Sequence, residues 1–473
     1  MKRIISLFLC IVLILSFTAC SMNGKGKLSK KGDGEDEISI KIPFSREEGL
    51  NPFKAKSLMN YCIMPLIYSG LYKVDANYNP IMDIATGVTY EGKKATVTID
   101  PERKFSNSRK ITADDVVYSY NLAKNSTYYG SLLRNVTGCV KVSDTEVYFG
   151  ASTPNIYLAA SLTFPIIPDG SANDAVPHGA GPYIFTKTSE GGTLTENMYY
   201  PNGEYATKMI SLINVTDASN LNIGLVIGNM NAMYDDLSSG KSQRIAAGSA
   251  QVDLNNLIYL KFNHNNIFAN PKLRQAVAVL LNKEELMNAG FEGYGQATDV
   301  PFNPQWFNAE GLKGPELSYQ EAQEYLTRAL GKYNIDILVN SDNMFKLKCA
   351  ETVASELAVA GISASVQAVP RELMDEGVEL GNYDLYVAEF KMSNDMNIGP
   401  LLHEEDDLDT QVAFFTFLSG NTSGEDFMAV FNENMPFIPV CIRYGLVSYS
   451  KDVQGGVAPL PNNPYANLME WYL

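Results

Sequence analysis

Between Ser318 and Phe390 the chain alternates helix and strand in an order that leaves few folds open. Ser318 and Glu321 make a Ser-x-x-Glu capping box, which predicts a helix running to about Leu330. Ile335 to Val339 is a short, almost continuous apolar run and fits a buried strand. A helix follows from about Phe345 to Ala360 and ends at Gly361, a residue suited to the left-handed position after a helix. Ile362 to Val369 and Asp384 to Phe390 read as further strands. Strand, helix, strand at this spacing is a βαβ unit, which requires a parallel sheet and places this part of the chain in the α/β class.

The first third is richer in strands. Ile38 to Ile42 and Ala95 to Ile99 alternate apolar and polar residues, as half-buried strands do. Thr112 with Asp115 opens a short helix whose apolar stripe is Val116, Val117, Tyr120 and Ala123. Val140 to Gly150 predicts two strands around a Ser-Asp-Thr turn. In the middle, Gly181-Pro182 leads into a strand through Phe185, and Tyr259 to Asn263 forms another. Asn270 then caps a helix with Pro271 in its first turn and Leu273, Ala276, Val277, Leu280 and Leu281 on one face; Asn282 with Glu285 starts the next. From Ile38 onward roughly 435 residues are available to fold, too many for one core, so two or three lobes are expected.

The N-terminus obeys different rules. Lys2 and Arg3 precede an apolar run from Ile4 to Phe17, and Thr18-Ala19-Cys20 follows. This order predicts a secretory signal peptide over residues 1–19, too short to span a bilayer comfortably. It resembles a bacterial lipoprotein signal, which implies lipidation of Cys20 and an extracytoplasmic protein anchored to the cell membrane. Residues 20–37 carry almost nothing apolar and are expected to act as a flexible tether.

Several chemistries find no support. The net charge is −16 and no basic stretch suggests a nucleic-acid partner. The three histidines, His178, His264 and His403, are far apart and form no metal-binding motif. Ser239-Gly240-Lys241-Ser242 ends like a phosphate loop, but Asp235 stands where its first glycine belongs. No Gly-x-Ser-x-Gly occurs, and carboxylate pairs such as Asp114-Asp115 and Asp235-Asp236 are ordinary at helix starts and turns. The run from His403 to Asp409 reads as a solvated acidic loop. No catalytic residues, metal or cofactor are therefore expected. Cys62, Cys139, Cys349 and Cys441 allow three pairings, and buried free thiols are an equal alternative.

Five landmarks in order carry a resemblance: Leu50-Asn51-Pro52 with Ile67 to Tyr72, Lys104 to Asn107 with Ile111 to Val116, Gly179 to Tyr183, Tyr259 to Asn263 with Leu273 to Lys283, and Glu321-Ala322 with the βαβ unit. Together they resemble the family 5 extracellular solute-binding proteins, the dipeptide, oligopeptide and nickel-binding group. The resemblance implies a periplasmic-binding-protein-like α/β fold with two lobes, hinge strands and an extra β-rich subdomain. It assigns residues 38–67, 179–259 and 439–473 to lobe I, 68–178 to the β-rich subdomain and 260–438 to lobe II. The crossing to lobe II is expected near Leu260 and the return near Ile438 to Tyr444.

The implied activity is capture of a small solute, a peptide foremost, by domain closure, and its delivery to an ABC permease by a monomeric binding protein. Nickel and small sugars stay open as ligands, as does a sensor role on the same fold; a secreted hydrolase would need a catalytic constellation that the sequence lacks. Three stretches are expected at the cleft. One is Phe44, Ser45 and Arg46 with Asn60 and Tyr61; the second is Tyr128 and Tyr129; the third is Lys391, Ser393, Asn394 and Asp395. In the third, Phe390 stands where peptide binders carry Trp, and Asp395 is the implied partner of a ligand ammonium group. Arg443 is a candidate for a ligand carboxylate.

Overall fold

Gly248–Phe262 and Phe437–Tyr449 are strands of 15 and 13 residues that pair antiparallel from Gly248↔Tyr449 to Lys261↔Phe437. In this computed structural model, which describes residues 39–189, 191–201, 203–242, 248–312, 314–402 and 408–473, they form the middle of a seven-stranded sheet. Ala232–Asp235 flanks the pair on one side, with Gly295–Ala297 also on Phe437–Tyr449. Leu385–Lys391, Ile335–Asn340 and Ala364–Val369 extend it on the other. The expected signal peptide, Cys20, the expected tether and most of the His403 to Asp409 run lie outside the described residues.

The long pairing is interrupted. Its register shifts between Asp253 and Asn256, where Asn255 takes a φ of +52°, and again between Ile258 and Tyr259. Such a bulge bends a strand and raises its twist. Before the first shift, Gly248–Phe262 shares Phe437–Tyr449 with Ala232–Asp235; after it, the strand pairs with Leu385–Lys391 as well.

The βαβ unit expected from the sequence is present. Ile335–Asn340 runs parallel to both Ala364–Val369 and Leu385–Lys391. The capping box at Ser318 closes, with Ser318 N–H donating to Glu321 Oε2 at 2.8 Å. Asn270 caps its helix by accepting from Lys272 N–H at 3.0 Å. The helix before Gly361 spans Met344–Val359, and the strand after it begins at Ala364 rather than Ile362. The reason is local: Gly361 has a φ of +79°, and Ile362 N–H turns back to the Leu357 carbonyl at 2.9 Å, so Ile362 belongs to the helix stop.

Two further sheets carry the rest of the β structure. Ile40–Phe44 pairs parallel with Met209–Asn214, which continues antiparallel into Gly191–Glu196 and Tyr183–Lys187. Ala85–Glu91, Lys94–Ile99, Glu146–Ala151 and Val136–Ser143 form an antiparallel sheet in that order, backed by helix Ala113–Lys124. The Thr112–Asp115 capping box is formed, with Thr112 N–H on Asp115 Oδ2 at 2.9 Å.

Buried apolar side chains gather accordingly. One cluster holds Leu257, Phe302, Val353 and Phe427; a second holds Val97, Phe149 and Phe164; a third holds Ile42, Tyr183 and Trp471. The segment after the antiparallel sheet packs onto the first cluster's side, with Ile156 N–H on the Leu418 carbonyl at 3.0 Å and Tyr157 edge-on to Trp306 at 5.0 Å. Cys62, Cys139, Cys349 and Cys441 are free thiols. Among the described residues no helix is long and apolar enough to cross a membrane.

Phe302 is fully buried and meets the rings of Trp306, Phe307, Phe414, Phe417 and Phe427. Phe302→Ala is expected to lower stability by about 3–5 kcal/mol in urea unfolding. Leu373→Ala, on an exposed helix, is expected to change it by less than about 0.5 kcal/mol.

Candidate functional site

The bulge at Asp253–Asn256 lies beside a cavity of about 560 Å³. Leu254, Asn256 and Lys391 of the large sheet form part of its wall, and Asn462 of the C-terminal segment joins them. Facing residues come from the segment Ala55 to Cys62, from helix Thr127–Leu132, and from Tyr234 and Asp236 at the end of an edge strand.

Local chemistry fixes the aromatic part of this wall. Ser57 caps the helix Leu58–Tyr61 by accepting from Asn60 N–H at 3.3 Å, and Glu48 accepts from Ser57 N–H at 2.6 Å. Ser126 caps Thr127–Leu132 by accepting from Tyr129 N–H at 3.1 Å. A Cβ on Gly130 would stand 2.7 Å from the Lys124 carbonyl oxygen, so only glycine lets this helix sit so close to the one before it. The two helices bring Tyr61 and Tyr128 face to face, with centroids 4.3 Å apart and planes 18° from parallel. Tyr129 meets Tyr128 edge-on at 5.0 Å. Tyr61 donates its hydroxyl to the Ala55 carbonyl.

The charges divide into those already paired and those that are not. Glu389 is held by Arg443 at 2.8 Å, Lys346 at 2.9 Å and Asn256 at 2.6 Å. Burial alone would raise its pKa, but Arg443 and Lys346 outweigh burial and hold it at about 2. Lys391 donates to two neutral oxygens, the Leu254 carbonyl and the Asn462 side chain. Burial pushes its ammonium down to about 8; Arg443 adds to the fall, while Asp253, Glu389 and Asp236 oppose it. Asp253 is itself enclosed, accepting from Tyr78 and Asn303, each at 2.8 Å.

The residues expected at the cleft are sorted by this geometry. Tyr61, Tyr128 and Lys391 line the cavity. Tyr129 and Asn394 line a smaller recess of about 180 Å³ that shares Tyr61 and Tyr128 with it, and Asn394 donates to the Ala160 carbonyl at 3.1 Å. The others line neither space. Phe44 is core, and Asn60 is fully buried, bonding Ser45 N–H and the Ser45 and Gly49 carbonyls at 2.7–2.8 Å. Arg46 is exposed and reaches the Ser189 carbonyl at 3.3 Å. Ser393 and Asp395 are buried against each other, and Asp395 also accepts from Asn155 at 2.7 Å. Burial raises the Asp395 pKa although its polar neighbours resist the rise. Its carboxyl thus serves the packing of Asn155 onto this loop and is not presented to the cavity. Arg443 is likewise committed, donating to Glu389 and, at 2.7 Å, to the Asp236 carbonyl.

Sequence reasoning missed Asp236, Asn256 and Asn462. Asp236 follows another acidic residue and resembles any turn carboxylate, and the other two are polar residues whose placement depends on long-range pairing. Among the described residues no group of three His, Cys, Asp or Glu is placed to hold a metal ion.

The model of the bacterial extracellular solute-binding proteins, family 5 (middle region), matches residues 79–399. The oligopeptide-binding protein AppA of Bacillus subtilis is 24% identical over 365 residues, covering 67% of this chain and 66% of that protein. Among solved structures, the ABC transporter substrate-binding protein CtaP of Listeria monocytogenes aligns with a TM-score of 0.70 at 18% identity, over 92% of this chain and 99% of its own. The murein tripeptide-binding protein MppA, in its unliganded open form, aligns with a TM-score of 0.73 at 15% identity, over 93% and 98%. The fold they share with this chain is two-lobed and α/β.

Glu389→Gln leaves Arg443 and Lys346 without their counter-charge and is expected to cost about 3–5 kcal/mol, read by denaturant unfolding. Because the folded Glu389 pKa of about 2 lies below the ordinary ~4.3, its stabilisation is full above about pH 4.3 and is lost as the pH falls toward 2. A pH series is expected to show that loss in the wild type and not in Glu389→Gln.

Proposed function

This chain belongs to the family 5 bacterial extracellular solute-binding proteins, and on that premise we propose that it captures a peptide by closing two lobes on it and hands it to an ABC permease. The observation that carries the reading is the cavity beside the bulged strand pair, walled by the Tyr61–Tyr128 stack on one side and Lys391 and Asn256 on the other. Its volume of about 560 Å³ suits a ligand of a few residues. Tyrosine faces give contact area at little cost in side-chain freedom, and backbone groups at the bulge offer main-chain hydrogen bonds.

The lobes divide at the boundaries implied by the family resemblance: 38–67, 179–259 and 439–473 in lobe I, 68–178 in the β-rich subdomain, 260–438 in lobe II. The hinge lies at Asp253–Asn256 and the facing part of Phe437–Tyr449, because a bulge is where paired strands bend with least loss of hydrogen bonds. Tyr61, Tyr128 and Lys391 touch the ligand, and Tyr129 and Asn394 shape the recess behind it. Cys20 carries a lipid, so that the protein works as a monomer tethered to the outer face of the cell membrane. Relatives named for oligopeptides and a murein tripeptide support a peptide ligand.

Native mass spectrometry of the gently purified protein tests the reading. A retained mass of two to five amino acids is expected; a lone metal ion or a sugar in its place would overturn the peptide assignment. Tyr128→Ala is expected to weaken capture of the retained ligand by about 1–3 kcal/mol in calorimetry.

A further inference from the structure

We propose that Asp236 is the carboxylate that receives the ligand's ammonium group, in the role first expected of Asp395. This rests on the peptide reading above and adds the group that selects the ligand's N-terminus. Strand Ala232–Asp235 ends one residue earlier, and its pairing with Phe437–Tyr449 fixes where the backbone stops. Two hydrogen bonds then set the residue itself. Arg443 holds its carbonyl at 2.7 Å, and Ser238 N–H donates to Oδ1 at 2.9 Å.

What remains is an anion turned to the cavity. Asp236 is half-buried and lines the cavity with Tyr61, Tyr128 and Tyr234. Among the described residues no Lys or Arg side chain forms an ion pair with its carboxylate, in contrast to Glu389, which has two. Its negative charge adds to the effect of burial in raising the pKa of Tyr128, Tyr234 and Cys62, as a close neighbour would. An ammonium group entering here meets a charge-assisted hydrogen-bond acceptor and aromatic faces together.

Lys391 supplies the opposite sign. It comes from the far side of Gly248–Phe262, bonds only neutral oxygens, and has no carboxylate in ion-pair contact among the described residues. The cavity wall carries one carboxylate, Asp236, and two lysines, Lys56 and Lys391, with no ion pair to any of them among the described residues, and so favours a ligand with both a free ammonium and a carboxylate. Asp395 cannot share the first task, because its oxygens already accept from Asn155 and Ser393 in a closed, fully buried site.

The test uses a synthetic library of tri- to pentapeptides prepared in two forms, free amine and N-acetyl, with retention scored by native mass spectrometry and affinities by calorimetry. The wild type is expected to retain free-amine peptides and to bind their acetylated forms about 10- to 100-fold more weakly. Asp236→Asn keeps an oxygen for Ser238 N–H, so its melting temperature is expected to hold while the preference for the free amine disappears. Equal wild-type retention of both forms, or a full preference surviving in Asp236→Asn, overturns the assignment of Asp236 and leaves peptide capture standing. If the wild type retains neither form, the peptide reading fails and this inference falls with it.

Discussion

The antiparallel pairing of Gly248–Phe262 with Phe437–Tyr449 is the constraint on which the rest of the molecule depends. Both strands are long, at 15 and 13 residues, and each changes partners along its length. A continuous sheet would make a stiff joint. The shift at Asp253–Asn256 removes ladder hydrogen bonds at one place and bends the pair there. Leu254 and Asn256, at that irregularity, line the cavity.

Buried charge reinforces that joint. Glu389, Arg443 and Asn256 sit on three neighbouring strands, and Lys346 reaches in from the helix Met344–Val359. An ion pair in this setting adds little net stability compared with apolar packing, but losing one partner is costly. The cluster therefore ties three neighbouring strands and a helix to one another. Its members face one another and are satisfied. Asp236 and Lys391 line the cavity and, among the described residues, make hydrogen bonds but no ion pair.

The sequence was most legible where the physics is local. The capping boxes at Thr112 and Ser318, the Asn270 cap and the Gly361 stop can each be read from a few adjacent residues, and each is formed. The long strand was read only from Tyr259 onward, because Asp253 to Asn256 breaks the apolar alternation at the bulge. Helix Arg371–Leu380 escaped because Pro370 at its N-cap makes no side-chain cap and Gly377 interrupts it. Tyr61, Tyr128 and Lys391, which line the cavity, were expected at a cleft through family resemblance, as was Asp395, which does not line it. Its true neighbours, Asn155 and Ser161, lie far away in sequence, and no local pattern announces that they close over it.

Small-angle X-ray scattering of the purified protein, stripped of ligand and then saturated with it, reads lobe closure in solution. Two lobes hinged at the bulged strand pair predict a smaller radius of gyration when the solute is bound, with the solute recovered unchanged after denaturation. A radius that stays constant at saturation would rule out closure, and a solute recovered in cleaved form would rule out capture without chemistry.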